Sequence, residues 1–168
     1  MLRFKIFLCN CLLAFTSFAA ADLVIRNGML YDGTGQAPRA LDVGIDKGMI
    51  VSVGPNIPRG KVTLDAGGKA VAPGFIDVHT HAENIIHHPK AENFLRMGVT
   101  TLILGNCGSS KLNLGDFYKQ IEEKGFSPNI ASLIGHGTVR KQVMGGSFRR
   151  PPDAGELAQM QKYIESGM

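Results

Sequence analysis

From Pro73 onward, apolar runs of strand length alternate with segments of helical composition, and this alternation restricts the fold more than any other feature. Three apolar runs have the length of strands: 75–78, 100–104 and 130–134. Three segments have helical composition: 91–97, 114–124 and 153–164, the last with Asp153 placed as its cap. Alternating strands and helices predict an α/β fold with a parallel sheet and right-handed crossovers. Residues 73–168 hold three such β/α units, whereas a closed eight-stranded barrel needs ~250 residues, so a barrel built from these units would be incomplete.

The preceding segment, residues 22–72, alternates short β-rich runs with turn signals. Asn27-Gly28 is a dipeptide suited to a tight hairpin, because both positions tolerate positive φ. Asp46-Lys47-Gly48 is a second turn signal. We therefore predict a small β-unit, a meander of five or six strands. The segment contains no histidine and no cysteine, so its chemistry is unremarkable.

The first 21 residues have the pattern of a secretory signal. Arg3 and Lys5 form a basic start, an apolar run covers 6–18, and three alanines at 19–21 precede Asp22. The run is shorter than the ~20 residues that cross a bilayer. We expect a signal peptide over 1–21, no stable membrane anchor, and a soluble exported protein, periplasmic or secreted.

Charge and cysteine content narrow the function further. Loss of the two basic residues of the signal lowers the formal net charge from +4 to +2. The remaining Lys and Arg residues form no cluster, so we expect no nucleic-acid partner. Only Cys107 remains after the signal. It is a free thiol, a ligand or an intermolecular bridge, because no internal disulfide is possible.

Two histidines follow the first predicted α/β strand, in the motif Asp77-Val78-His79-Thr80-His81. Residues two apart on a strand face the same side, and sites in such folds form at the carboxyl ends of the strands. Imidazole binds zinc at neutral pH. We predict that His79 and His81 are metal ligands; the alternative is a pair of solvated loop histidines.

The second and third strands also end in chemically active residues flanked by glycine. Cys107 lies in Gly-Asn-Cys-Gly after the second strand, where a thiolate would bind a metal; the alternative is a small buried apolar residue. After the third strand, His136 and Arg140 are candidates for substrate or ligand-supporting roles, although Arg140 also suits a surface ion pair. Glu83 either supports a ligand histidine or begins the next helix. His87 and His88 precede a proline in a polar loop and are left out of the site.

Together these motifs resemble the amidohydrolase superfamily, and within it the N-acyl-D-amino-acid deacylases. DLVIRNGMLYDGTG resembles the N-terminal strands and PGFIDVHTH the first barrel strand; GVTTLILGNCGSS resembles the second strand with its cysteine ligand, and GHGTVR the third. The resemblance implies a β-sandwich portion over 22–72, joined to the first three β/α units of an incomplete TIM-like (β/α)8 metal-dependent hydrolase barrel over 73–168. It also implies one or two zinc ions and hydrolysis of a small N-acyl-D-amino acid. His79 and His81 would bind one metal, and Cys107 the other or both.

The resemblance also indicates what to expect beyond Met168. The family's later histidines and its catalytic aspartate have no counterpart here, so we expect an N-terminal fragment that is inactive alone, with its general base beyond Met168. The family usually has aspartate where Glu83 stands. Nickel or cobalt are alternatives to zinc for such donors. Two other functions stay open: a hydantoinase-like or dihydroorotase-like cyclic amidase, and a truncated exported domain without activity. The oligomeric state is not predicted.

Overall fold

The computed structural model describes residues 21–146 and 149–168. Nearly all of the predicted signal peptide therefore lies outside the described residues. The chain divides into two compact units, with the division between Pro73 and Gly74. Within the described residues, the helices are too short or too polar to cross a bilayer.

The first unit is built on one five-stranded sheet. Its strands are β1 (Leu23–Leu30), β2 (Arg39–Asp46), β3 (Met49–Gly54), β4 (Val62–Asp65) and β5 (Ala70–Val71). The order is β3-β2-β1-β4, and β5 also pairs with β1. The pairs β1/β2 and β2/β3 are antiparallel, but β4 and β5 lie parallel to β1. The predicted meander is wrong in this respect, because the chain after β3 crosses to the far side of β1 before it pairs again.

The predicted hairpin at Asn27-Gly28 is also wrong, because β1 continues through both residues. Asn27 has a φ of 56°, and the register of β1 on β2 shifts between Ile25 and Gly28. The positive φ therefore serves a β-bulge, in which two residues oppose the single residue Asp42. The buried Asp42 carboxylate accepts hydrogen bonds from Arg26 Nε and from the Asn27 and Ile57 amides. These three bonds hold the extra residue in place.

The second unit has a three-stranded parallel sheet flanked by helices. Its strands are β6 (Phe75–Asp77), β7 (Val99–Leu104) and β8 (Asn129–Ser132), in that order across the sheet. Its helices are α1 (Glu92–Arg96), α2 (Leu114–Lys124), α3 (His136–Met144) and α4 (Ala154–Ser166). Both strand pairs are parallel. The carboxyl ends of the three strands consequently lie at one edge of the sheet, and the predicted fold class is confirmed.

The core of the second unit lies between β7 and the helices. Leu102 and Leu104 are fully buried on one side of β7, where they pack with Phe117 of α2. A second cluster joins Val139 and Met144 of α3 to Met160 of α4. Full burial of a leucine side chain contributes about 1.5–3 kcal/mol. Leu102 and Leu104 thus anchor the carboxyl half of the central strand next to the turn that follows, and the second cluster joins α3 to α4.

Helix α4 begins with the predicted Asp153 cap, which forms a full capping box. Asp153 Oδ1 accepts the Glu156 amide at 2.8 Å, and Glu156 Oε2 accepts the Asp153 amide at 2.9 Å. The Arg150 guanidinium donates to both Glu156 oxygens. The hydrogen bonds from Arg150 first, and from the Asp153 amide second, lower the pKa of Glu156 from 4.5 to about 2.

This depressed pKa predicts a pH-dependent stability. Because the folded pKa of Glu156 lies below its unfolded value of 4.5, its contribution is complete above that pH and is lost as pH falls toward 2. Urea unfolding of wild type and Glu156→Gln between pH 7 and pH 2 measures it. We expect the wild type to be more stable at pH 7 and the difference to disappear near pH 2. A difference that is constant with pH would contradict the assignment; Glu165→Gln, near the other end of α4, is the matched control.

Candidate metal centre

The two histidines of the first strand end are directed to the same side by the residue between them. Thr80 is buried, its amide donates to Ile103 O of β7 at 3.1 Å, and its hydroxyl donates to Asp77 O. His79 and His81 are exposed on the opposite side, with ring centroids 5.3 Å apart. The two histidines therefore lie on the same side, as the H-x-H spacing predicts, although β6 ends at Asp77 and both rings stand in the segment just beyond it.

Cys107 occupies a turn whose backbone suits glycine better than cysteine. Its φ is 54°, and the φ values of Gly105 and Gly108 are 81° and 83°. A side chain in this left-handed region costs roughly 1–2 kcal/mol. Such strain is retained at positions where the side chain has a function that glycine could not perform. Cys107 is also exposed, which excludes the alternative of a buried apolar residue.

The structure brings the thiol and both imidazoles together. His79 Nε2 lies 3.2 Å from Cys107 Sγ, and the potential ligand atoms of His79, His81 and Cys107 all lie within 4.8 Å of one another. Ligand atoms around one tetrahedral zinc ion stand about 3.3–3.6 Å apart, given Zn–N and Zn–S bonds of ~2.1 and ~2.3 Å. The cluster thus has the size and the donor chemistry for one divalent ion. All three side chains are open to solvent, which leaves room for a further ligand.

The third strand end packs closely against the turn that carries Cys107. A Cβ on Gly135 would lie 2.5 Å from Gly108 O, and one on Gly137 would lie 2.8 Å from the same oxygen. Only glycine permits this approach. His136, between these glycines, is exposed as the first residue of α3. Its segment therefore lies beside the cysteine turn, and its role in substrate binding stays a prediction.

Two hydroxyl side chains that the sequence analysis missed fasten these segments together. Ser110 N donates to Thr138 Oγ1 at 3.0 Å, and Thr138 Oγ1 donates to Ser110 O at 3.2 Å. Gly135 N donates to Ser110 Oγ at 2.8 Å. The signal in the sequence was a small polar residue beside the glycines of each strand end. The cysteine turn and the start of α3 are consequently held together by three hydrogen bonds.

Glu83 and Arg140 have different surroundings. The half-buried Glu83 accepts a hydrogen bond from the Gly105 amide at 3.3 Å and lies outside the group of three ligand candidates. Arg140 donates to the Arg150 carbonyl. The structure therefore does not join Arg140 to the His/His/Cys group, and its substrate role stays a prediction. His87 and His88 are exposed, as expected for a polar loop.

Comparison with known proteins identifies the family. No family model matches the chain. An N-acyl-D-aspartate deacylase from Alcaligenes xylosoxydans xylosoxydans is 31% identical over 179 residues, covering 89% of this chain and 35% of that protein. The solved structure of a D-aminoacylase, which defines a subset of the amidohydrolases, is 29% identical with a TM-score of 0.81, and the match covers 88% of this chain and 36% of that one. Over nearly nine-tenths of its length, the chain is similar to the D-aminoacylase branch of the amidohydrolases.

A second solved D-aminoacylase relative bears on the metal. The N-acyl-D-glutamate deacylase of Bordetella bronchiseptica, in complex with zinc and a phosphonate inhibitor that mimics the tetrahedral intermediate, is 28% identical with a TM-score of 0.77, and the match covers 89% of this chain and 36% of that one. The D-aminoacylase has a binuclear metal centre. The predicted family is confirmed. The chain spans about a third of the length of the D-aminoacylase relatives it matches.

Proposed function

We propose that the protein containing this chain is a zinc-dependent hydrolase that cleaves the amide bond of small N-acyl-D-amino acids, giving a carboxylate and a free D-amino acid. The convergence of two imidazoles and a thiol at adjacent strand ends carries the proposal. The relatives are deacylases of N-acyl-D-aspartate and N-acyl-D-glutamate. We propose export as well, on the basic start and apolar run of residues 1–21.

The residues of this chain hold and orient the metal in the proposed reaction. His79 and His81 stand on one strand end, where the buried Thr80 keeps their orientation, so little side-chain freedom is lost on ligation. Cys107 supplies a thiolate from a turn bounded by glycines, and the mixed imidazole and thiolate donors favour zinc. When bound by these residues, zinc would supply a Lewis acid that polarises the amide carbonyl and lowers the pKa of a bound water toward ~7.

The test is metal analysis and substrate turnover of the protein expressed from its whole reading frame. We expect zinc to be retained on dialysis and N-acetyl-D-amino acids to be hydrolysed in preference to their L-isomers. Cys107→Ser is expected to lose both zinc and turnover, whereas Glu165→Gln, in the exposed part of α4, is the control. Hydrolysis of hydantoins or dihydropyrimidines without turnover of N-acyl-D-amino acids would contradict the proposed substrate class. A protein that binds no divalent metal would contradict the mechanism.

A further inference from the structure

One side chain connects the strand end that carries the histidines to the turn that carries the thiol. Glu83 follows His81 by two residues, and its Oε1 accepts the Gly105 N–H at 3.3 Å. Gly105 is buried and directly follows β7. The carboxylate thus reaches from the first strand end to the first peptide beyond the second strand.

The Gly105 amide controls where the turn leaves the sheet. Among residues 21–146 and 149–168, this amide has no main-chain acceptor, and Glu83 is its partner. The φ of 81° at Gly105 rotates the chain out of the strand, and Cys107 follows two residues later. A buried N–H strongly requires an acceptor. Loss of the carboxylate would let the turn rotate toward another acceptor or toward solvent, and it would displace the thiol.

The distances indicate that Glu83 holds the turn and does not bind the metal directly. The group whose ligand atoms lie within 4.8 Å of one another contains His79, His81 and Cys107 but not Glu83. We propose that Glu83 is a positioning residue, which holds the Cys107 turn in register with the two histidines through the Gly105 amide. This inference rests on the proposed metal-binding function of these three residues and extends it to the group that aligns them.

Two substitutions distinguish positioning from ligation. Glutamine at residue 83 keeps an oxygen that accepts the Gly105 N–H but loses the negative charge, whereas alanine loses both. We expect Glu83→Ala to weaken metal affinity by about 10- to 100-fold, the range for residues that orient ligands, and Glu83→Gln to bind within about 3-fold of wild type. Glu92→Ala is the matched control, because the Glu92 side chain is 62% exposed and pairs only loosely with Arg96 at 3.8 Å.

The measurement uses the protein expressed from its whole reading frame, with Co²⁺ as the probe. Co²⁺ titration gives the affinity, and the thiolate-to-cobalt charge-transfer absorption reports whether Cys107 reaches the metal. We expect this absorption in wild type, Glu83→Gln and Glu92→Ala, and its loss or strong reduction in Glu83→Ala, with near-native circular dichroism throughout.

The possible outcomes distinguish a failure of the positioning role of Glu83 from a failure of the proposed metal-binding function. Wild-type absorption that survives Glu83→Ala unchanged overturns the positioning role and leaves the metal site intact. Equal loss of affinity in Glu83→Gln and Glu83→Ala overturns it in favour of direct ligation by the carboxylate. A wild-type protein that binds Co²⁺ without thiolate absorption overturns the ligand set of the proposed function, and the positioning role with it.

Discussion

Replacing Cys107 with glycine is expected to weaken zinc binding by at least about 100-fold without destabilising the metal-free protein. Loss of the thiolate removes one of three donors, which weakens binding at least as much as the loss of a ligand-supporting residue. Glycine relieves roughly 1–2 kcal/mol of strain at a φ of 54°. It also gives the unfolded chain about 0.4–1 kcal/mol of added conformational entropy. The two effects partly cancel, so the metal-free variant is expected to be as stable as the wild type or more stable by up to about 1.6 kcal/mol.

Chelator competition and urea unfolding measure the two halves of this prediction. Cys107→Ser is the matched control, because it keeps a side chain in the left-handed turn and loses only the thiolate. We expect it to lose zinc as glycine does. Zinc affinity unchanged in both variants would show that the thiol is not a ligand. Destabilisation of the glycine variant by more than about 2 kcal/mol would show that Cys107 is retained for packing.

Gly105→Ala is expected to destabilise the protein by roughly 2–5 kcal/mol, the largest stability effect that we predict. Gly105 has a φ of 81°, and a Cβ there would lie 2.0 Å from Leu133 O. The left-handed conformation contributes about 1–2 kcal/mol, and the forced backbone displacement contributes about 1–3 kcal/mol. The obstacle is main chain, so no rotamer change relieves it.

Gly145→Ala is the matched control for this substitution, because Gly145 has the same left-handed conformation as Gly105. Gly145 has a φ of 67° and a ψ of 16°, and no atom outside the residue and its chain neighbours lies within 4 Å of the position that its Cβ would take. This variant therefore experiences the conformational strain alone, about 1–2 kcal/mol. Urea unfolding gives the free energy of unfolding of both variants, and the difference between the two destabilisations is the cost of the contact with Leu133 O. Equal destabilisation of the two variants would show that β7 and the segment after β8 separate easily at this point.

The ligand cluster could be predicted because its geometry follows from local rules. His79 and His81, two residues apart and just beyond β6, lie on one side, and parallel pairing brings the ends of β6 and β7 to one edge of the sheet. The same local character explains why α2 has the predicted bounds, residues 114–124, and why Asp153 caps α4. The helix bounds and the cap are decided by residues close together in the sequence, whereas the approach of Cys107 to His79 also requires the pairing of β6 with β7, which the alternation of strands and helices predicts.

The features that the sequence analysis missed depend on distant partners. Helix α3 has no side-chain N-cap, and its glycines at 135 and 137 weaken the helical signal. They are required by the approach to Gly108, which no periodicity reveals. Asn27 has the same left-handed preference in a hairpin and in a bulge, and the buried Asp42 on β2 decides between them. The Glu83 bond to Gly105 likewise spans 22 residues.

The inward position of Thr80 restricts how this part of the chain can change in length. One residue added or removed between His79 and His81 would turn one ring toward the side that Thr80 now occupies, beside Ile103 of β7. Insertions and deletions are therefore far less tolerable here than substitutions, and the spacing of the two histidines is expected to stay fixed while neighbouring loops lengthen or shorten.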